Sequence, residues 1–201
     1  ALLLVPGGPV VNLFPMAEDT VGSPVMIGAR GLSEAFKPGG REFSLVVPDT
    51  KKESGFRGVA KIVLPAEGKE FIILLEPAKD GFKVHVVNGR ESRFGADSVL
   101  FFNASEASIV AVLGSEKTLI KPRQVVFAKA PSRGEKPYYQ ATLYQSDNGK
   151  VRPFFNSRWP HRDNVRCYAF IYRNLVNGRL TYQAVDEDLR PVASAPTSAN
   201  P

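Results

Sequence analysis

Cysteine and histidine are nearly missing from this chain. One cysteine, Cys167, and two histidines, His85 and His161, leave no intramolecular disulfide, no multi-cysteine zinc site and little for a His-rich metal centre. No cofactor is implied. Long apolar runs are also absent: the first seventeen residues are uncharged, but Pro6-Gly7-Gly8-Pro9 interrupts them and no basic residue precedes them. They make neither a membrane-spanning helix nor a whole signal peptide. The common signatures of catalysis and nucleic-acid reading are missing too, from the Gly-x-Ser-x-Gly elbow and Walker loop to His-Glu-x-x-His, RNP, helix-turn-helix and zinc-finger patterns. Nucleic-acid recognition and enzyme activity are therefore both disfavoured.

Helical periodicity is scarce as well. The apolar segments are short, rich in Val, Ile, Phe and Tyr, and bounded by Gly, Pro, Asn or Asp at intervals of about ten residues, the mark of an all-β chain. Strands are expected at Val10–Phe14, Val25–Ala29, Glu42–Val47, Gly58–Leu64, Glu70–Leu75 and Phe82–Val87. A second series follows at Ser98–Phe102, Ile109–Leu113, Gln124–Lys129, Tyr138–Tyr144, Lys150–Phe155, Arg166–Tyr172 and Arg179–Val185. Asp80-Gly81, Asn148-Gly149 and Asn177-Gly178 read as hairpin turns that need positive φ.

The two series resemble one another. Phe14-Pro15-Met16-Ala17-Glu18 answers Phe102-Asn103-Ala104-Ser105-Glu106, Glu42–Pro48 answers Val125–Pro131, and Phe56–Leu64 answers Tyr138–Tyr144. In the late strand, Phe71, Ile73 and Leu75 align with Tyr168, Phe170 and Tyr172, and both faces are apolar, as in a strand packed on each side. The expectation is two tandem β-sandwich units of immunoglobulin-like type, residues 1–92 and 93–190, packed against each other or merged into one pseudo-symmetric body, with a disordered tail over 191–201. A single large sandwich is the alternative.

Lys and Arg number 26 against 20 Asp and Glu, for a net charge of +6. The excess is uneven: residues 1–95 carry 12 basic and 11 acidic side chains, residues 96–185 carry 13 and 6. With Tyr138, Tyr139, Tyr144, Phe155, Tyr172 and Tyr182, the second half suits a groove for an anionic polymer, although strands favour aromatics in any case.

Under this alignment the growing offset between the halves makes Phe154–Arg166 an insertion, a loop carrying the only Trp. Arg158, Trp159, His161 and Arg162, supported by Arg166, are the candidate ligand-binding residues: an exposed aromatic and planar guanidinium groups can stack on a sugar and grip a carboxylate. The competing reading makes Trp159 a plug over the sandwich end, with the arginines stacked on it or paired to Asp163. His161, Asp163 and Ser157 have the residue types of a hydrolase triad but crowd one loop. Cys167 reads as a small buried hydrophobe, and Asn103-Ala104-Ser105 matches a glycosylation sequon.

The expected function is a non-catalytic module with a structural, adhesion or ligand-binding role, whose partner is a glycan, another anionic polymer or a protein. A hydrolase of glycans or esters using His161 is the alternative. The start at Ala1 and the Pro/Ser-containing end point to an exported, secreted or cell-envelope protein.

Overall fold

Among the described residues each expected segment holds a strand, because β-branched and aromatic residues gain most when a pleated surface packs them against cross-strand neighbours. The computed structural model describes residues 2–4, 11–28, 31–147, 150–174 and 177–190. Among these are sixteen strands and no helix: β1 (Leu2–Leu4), β2 (Val11–Ala17), β3 (Thr20–Val21), β4 (Val25–Ile27), β5 (Glu42–Pro48), β6 (Phe56–Val63), β7 (Phe71–Ala78), β8 (Gly81–Asn88), β9 (Ser98–Asn103), β10 (Ser108–Leu113), β11 (Glu116–Ile120), β12 (Val125–Lys129), β13 (Tyr138–Asp147), β14 (Lys150–Pro160), β15 (Val165–Arg173) and β16 (Leu180–Asp188). β1, β3 and β11 were not expected. Among the described residues no helix is long and apolar enough to cross a membrane.

The strands form four sheets, with orders β3-β2-β5-β6 (β4 also pairing β2), β1-β7-β8, β12-β9-β15-β16 and β11-β10-β13-β14. Three apolar layers join them. Leu13, Phe43, Leu45 and Ile62 meet Phe71, Ile73 and Leu75 between the first two sheets. The other face of β7, with Ile72 and Leu74, meets Leu100, Phe102, Tyr168 and Phe170. Val99, Phe101, Ala169 and Ile171 then turn to Ile109, Ala111, Ala141 and Leu143 of the last sheet. β7 and β15 are thus buried on both faces, as their unbroken apolar runs foretold.

Pairing repeats along the chain, but not with the matches expected. β1 lies parallel to β7, and β9 parallel to β15. The antiparallel pairs β2/β5, β5/β6 and β7/β8 recur as β10/β13, β13/β14 and β15/β16. Glu42–Pro48 therefore corresponds to β13 and not to Val125–Pro131, Phe56–Leu64 to β14 and not to Tyr138–Tyr144, and Phe14 to β10 and not to Phe102. The ladders make this explicit. Phe43 pairs Ile62 where Tyr139 pairs Trp159, and Glu42 pairs Val63 where Tyr138 pairs Pro160, a steady offset of about 96 residues.

With the offset steady, the insertion disappears: residues 154–160 belong to β14, and only 161–164 connect it to β15. The late-strand alignment was also one residue out. Ile72 and Leu74, not Phe71 and Ile73, share a layer with Tyr168 and Phe170. A one-residue slip exchanges the two faces of a strand.

Two local readings change as well. The β7–β8 turn is Lys79-Asp80, since Ala78 pairs Gly81, and Gly81 is needed because a Cβ there would lie 2.1 Å from the Val59 carbonyl oxygen. Asn103, in the sequon, is fully buried: its Nδ2 donates to the carbonyls of Ala107 (2.7 Å), Ile120 (3.1 Å) and Lys121 (3.2 Å), and its Oδ1 accepts from Ser105 N (3.0 Å) and Ser105 Oγ (2.7 Å). That amide pins the end of β9 to β11, and its nitrogen is not presented for modification. Gly178 takes φ +66° between β15 and β16, but Asn177 does not take a positive φ and the ladder ends at Arg173 with Leu180, so Asn177-Gly178 is not the two-residue hairpin turn expected. Asn148-Gly149 and the tail over 191–201 lie outside the described residues.

Candidate functional site

The five candidate residues fall in three places. Arg158, Trp159 and Pro160 end β14, the edge strand of its sheet, and alternation sends Arg158 and Trp159 to opposite faces. Trp159 turns inward to an aromatic cluster. Its ring lies 6.1 Å from Tyr182, nearly parallel at 27°, with Phe155 at 6.4 Å and Tyr139 at 6.3 Å. His161 follows, its N–H donating to the Pro137 carbonyl (2.9 Å) and its ring 5.0 Å from Tyr139. Arg162 donates to the carboxylate of Asp186 on β16.

Trp159, His161 and Arg162 come together around a recess of about 130 Å³ whose other walls include Asp97, Tyr139, Cys167 and Asp186. A cavity of roughly 150 Å³ holds one benzene, so this recess suits a single ring-sized group rather than a whole drug-sized ligand. Its charge is not basic: one guanidinium stands against two carboxylates. Burial pushes the Cys167 thiol well up, and the Asp186 carboxylate adds to this, so the thiol stays protonated. Burial also raises the Tyr139 and Tyr182 hydroxyls.

Arg166 is elsewhere. On the opposite face of β15, its side chain is 10% exposed, and its Nε donates to Glu187 (2.7 Å) while one terminal nitrogen donates to the carbonyls of Gly89 (2.9 Å) and Phe94 (3.2 Å). It lies over the Phe94 ring at 4.7 Å, and Tyr168 donates its hydroxyl to the same Glu187. Arg166 therefore fastens the segment between β8 and β9 to β15 and β16. Asp163, the expected partner of His161 or of the arginines, faces Arg133 at 3.4 Å.

Repeated pairing shows what is special about the recess. Leu64 N–H donates to the Arg41 carbonyl just as His161 N–H donates to Pro137, so Phe43, Ile62 and Leu64 occupy the ladder places of Tyr139, Trp159 and His161. Phe71 occupies that of Cys167, one residue before the matched pair Ile72 and Tyr168. In the first half these four side chains are buried, at 3%, 0%, 8% and 6% exposure. In the second half a thiol stands where the phenyl ring stood, and polar or aromatic groups line an open recess.

Sequence reasoning missed Asp97, Asp186 and Cys167 as parts of this site, and named Tyr139 only among the aromatics. Aligning the halves at the steady offset is the signal that brings Tyr139 and Cys167 forward. No protein-family model matches the chain, and no curated protein matches it.

Proposed function

We propose that the protein is a non-catalytic, exported module of two β-sandwich units, 1–92 and 93–190, that binds a glycan by receiving one of its sugar rings in the recess of the second unit. One observation carries this reading: four core positions of the first half reappear around the recess as Tyr139, Trp159, His161 and Cys167. Aromatic walls suit the C–H face of a sugar, and Asp97 and Asp186 accept from its hydroxyls. Two carboxylates favour a neutral ring over an anionic one at this place, which revises the expected anionic preference.

The alternative is a hydrolase of glycans or esters that would use His161. What favours the binding reading over it is that Asp163 faces Arg133 at 3.4 Å, while the ring of His161 lies 5.0 Å from that of Tyr139.

The single Trp makes the test direct, since all indole fluorescence comes from the recess wall. Titration with neutral monosaccharides and their oligomers is expected to give a saturable change in emission. Cys167→Phe fills the recess as Phe71 fills the first half, and it should abolish that change, as should His161→Leu, which copies Leu64. Emission that responds to no neutral sugar, or that responds equally in both variants, would remove the recess from the function.

A further inference from the structure

Arg158 did not join the recess, and its own face carries a second surface. The outward residues of the β11-β10-β13-β14 sheet form register rows: Leu119, Val110, Tyr144 and Pro153 in one, Lys117, Val112, Thr142 and Asn156 in the next, then Gln140 beside Arg158. Val110, Val112, Tyr144 and Leu119 belong to none of the three apolar layers, and Leu119 and Val151 are each 54% exposed. Among the described residues, none on this face is acidic.

The contrast with the first half is again informative. There Lys61 holds the place of Arg158 and is neutralised by Glu42 at 2.6 Å, and Glu42 holds the place of Tyr138. In the second half the carboxylate has become a tyrosine, and the Arg158 guanidinium lies over the Tyr138 ring at 4.9 Å with no carboxylate partner among the described residues. A guanidinium placed over an aromatic ring, and lacking a counter-charge of its own, is arranged to receive one from outside.

We infer that this outer face binds a linear polysaccharide bearing carboxylate groups, independently of the recess. Charge sign sets the partner as an anion, and charge density selects among anions. Duplex DNA carries a charge every 1.7 Å or so and is typically held by about 6–10 cations. This face offers two, Arg158 and Lys117, about 16 Å apart by strand geometry. An acidic polysaccharide, with one carboxylate per sugar at most, matches that spacing. Tyr138 and Tyr144, about 20 Å apart along β13, give sugar rings two places to lie, and the amides of Gln140 and Asn156 stand between them.

The test measures binding of the whole chain to polygalacturonate, to neutral dextran and to a DNA duplex. Polygalacturonate should bind with an affinity that falls as salt is raised, Arg158→Ala should weaken it about tenfold, and Arg179→Ala, which removes an exposed arginine elsewhere, should not. In the wild type, the ring protons of Tyr138 and Tyr144 should shift in NMR spectra on adding the polymer. Unchanged binding by Arg158→Ala, tyrosine signals that stay put, equal binding of dextran, or tighter binding of DNA would each overturn the inference.

Discussion

Replacing Arg166 with Met separates a structural clamp from a ligand contact. Met keeps an apolar stem against Phe94 but removes the guanidinium, so Glu187 loses its 2.7 Å partner, and the carbonyls of Gly89 and Phe94 lose donors at 2.9 and 3.2 Å. Breaking a buried ion pair by deleting one member costs about 3–5 kcal/mol, because the other charge is left unmatched. The Arg166 side chain is only 10% exposed, so solvent screens little of this. For a chain of this length each kcal/mol lowers the melting temperature by roughly 2–4 °C, so Arg166→Met should melt about 6–20 °C below wild type. The double variant with Glu187→Leu should recover part of that loss, since an apolar pair can replace a buried ionic one at little cost. Thermal unfolding followed by circular dichroism measures both, and fluorescence titration reports on the recess. A melting point within 2 °C or so of wild type together with lost sugar binding would refute the clamp and return Arg166 to the binding site.

Other consequences are equally open to measurement. The Cys167 thiol, held protonated by burial, should react with a disulfide reagent at pH 8 about a hundredfold more slowly in the native protein than in the unfolded chain, and labelling at equal rates would contradict its placement. Arg90, Arg123 and Arg190 hold the carboxyls of Glu70, Glu106 and Asp188 below their ordinary values, the last at about 2. The unfolded chain then takes up protons first, so this stability is complete above the ordinary value of 4.5 for Glu and is lost as pH falls below it. The urea midpoint should drop between pH 6 and pH 3, and a flat profile would contradict the pairings. Gly81→Ala should destabilise by about 3 kcal/mol, because its Cβ would meet a backbone oxygen that cannot swing aside, and a neutral effect in urea unfolding would mean β6 and β8 are not so close. Asn103→Ala should cost at least about 3 kcal/mol by stranding buried carbonyls, and retained stability would show that other donors reach them.

Strand positions were legible because alternation and turn residues are local. The two-residue β3 and the charged edge strand β11 lacked the apolar weight that marks the others, and β1, although all leucine, is only three residues long and shows no alternation. Which strand matches which was not legible, since residue likeness favoured Glu42–Pro48 with Val125–Pro131 whereas hydrogen bonding matches Glu42–Pro48 with β13. That error created an insertion from an ordinary edge strand, and the site was drawn as one loop. Alternation along β14 then sends Arg158 outward and Trp159 inward, while Arg166 falls on the far side of β15. The buried Asn103 was equally hidden: its sequence context resembles a modification site, and only the folded path brings the carbonyls of Ala107, Ile120 and Lys121 to its amide.

Placing the recess at the end of β13, β14 and β15 has a physical logic that the first half makes visible. There Phe36, from the segment between β4 and β5, packs edge-on against Phe43 at 6.1 Å and helps close the end of the layer. In the second half the matching stretch before β13, residues 132–137, is wholly exposed and provides no such cover. Burying a Phe, Ile or Leu contributes about 1.5–3 kcal/mol, so exchanging those groups for Tyr139, Trp159, His161 and Cys167 at an uncovered end gives up core stabilisation. Contacts nevertheless cross this end, with Arg162 on Asp186 joining β16 to the β14–β15 connection and Trp159 stacked on Tyr182 across the two sheet edges. A preorganised site needs accessible groups and a fixed geometry, and the proposed sugar site asks both of this end, which is less buried than its counterpart and crossed by these contacts. Sandwich packing alone needs only the second.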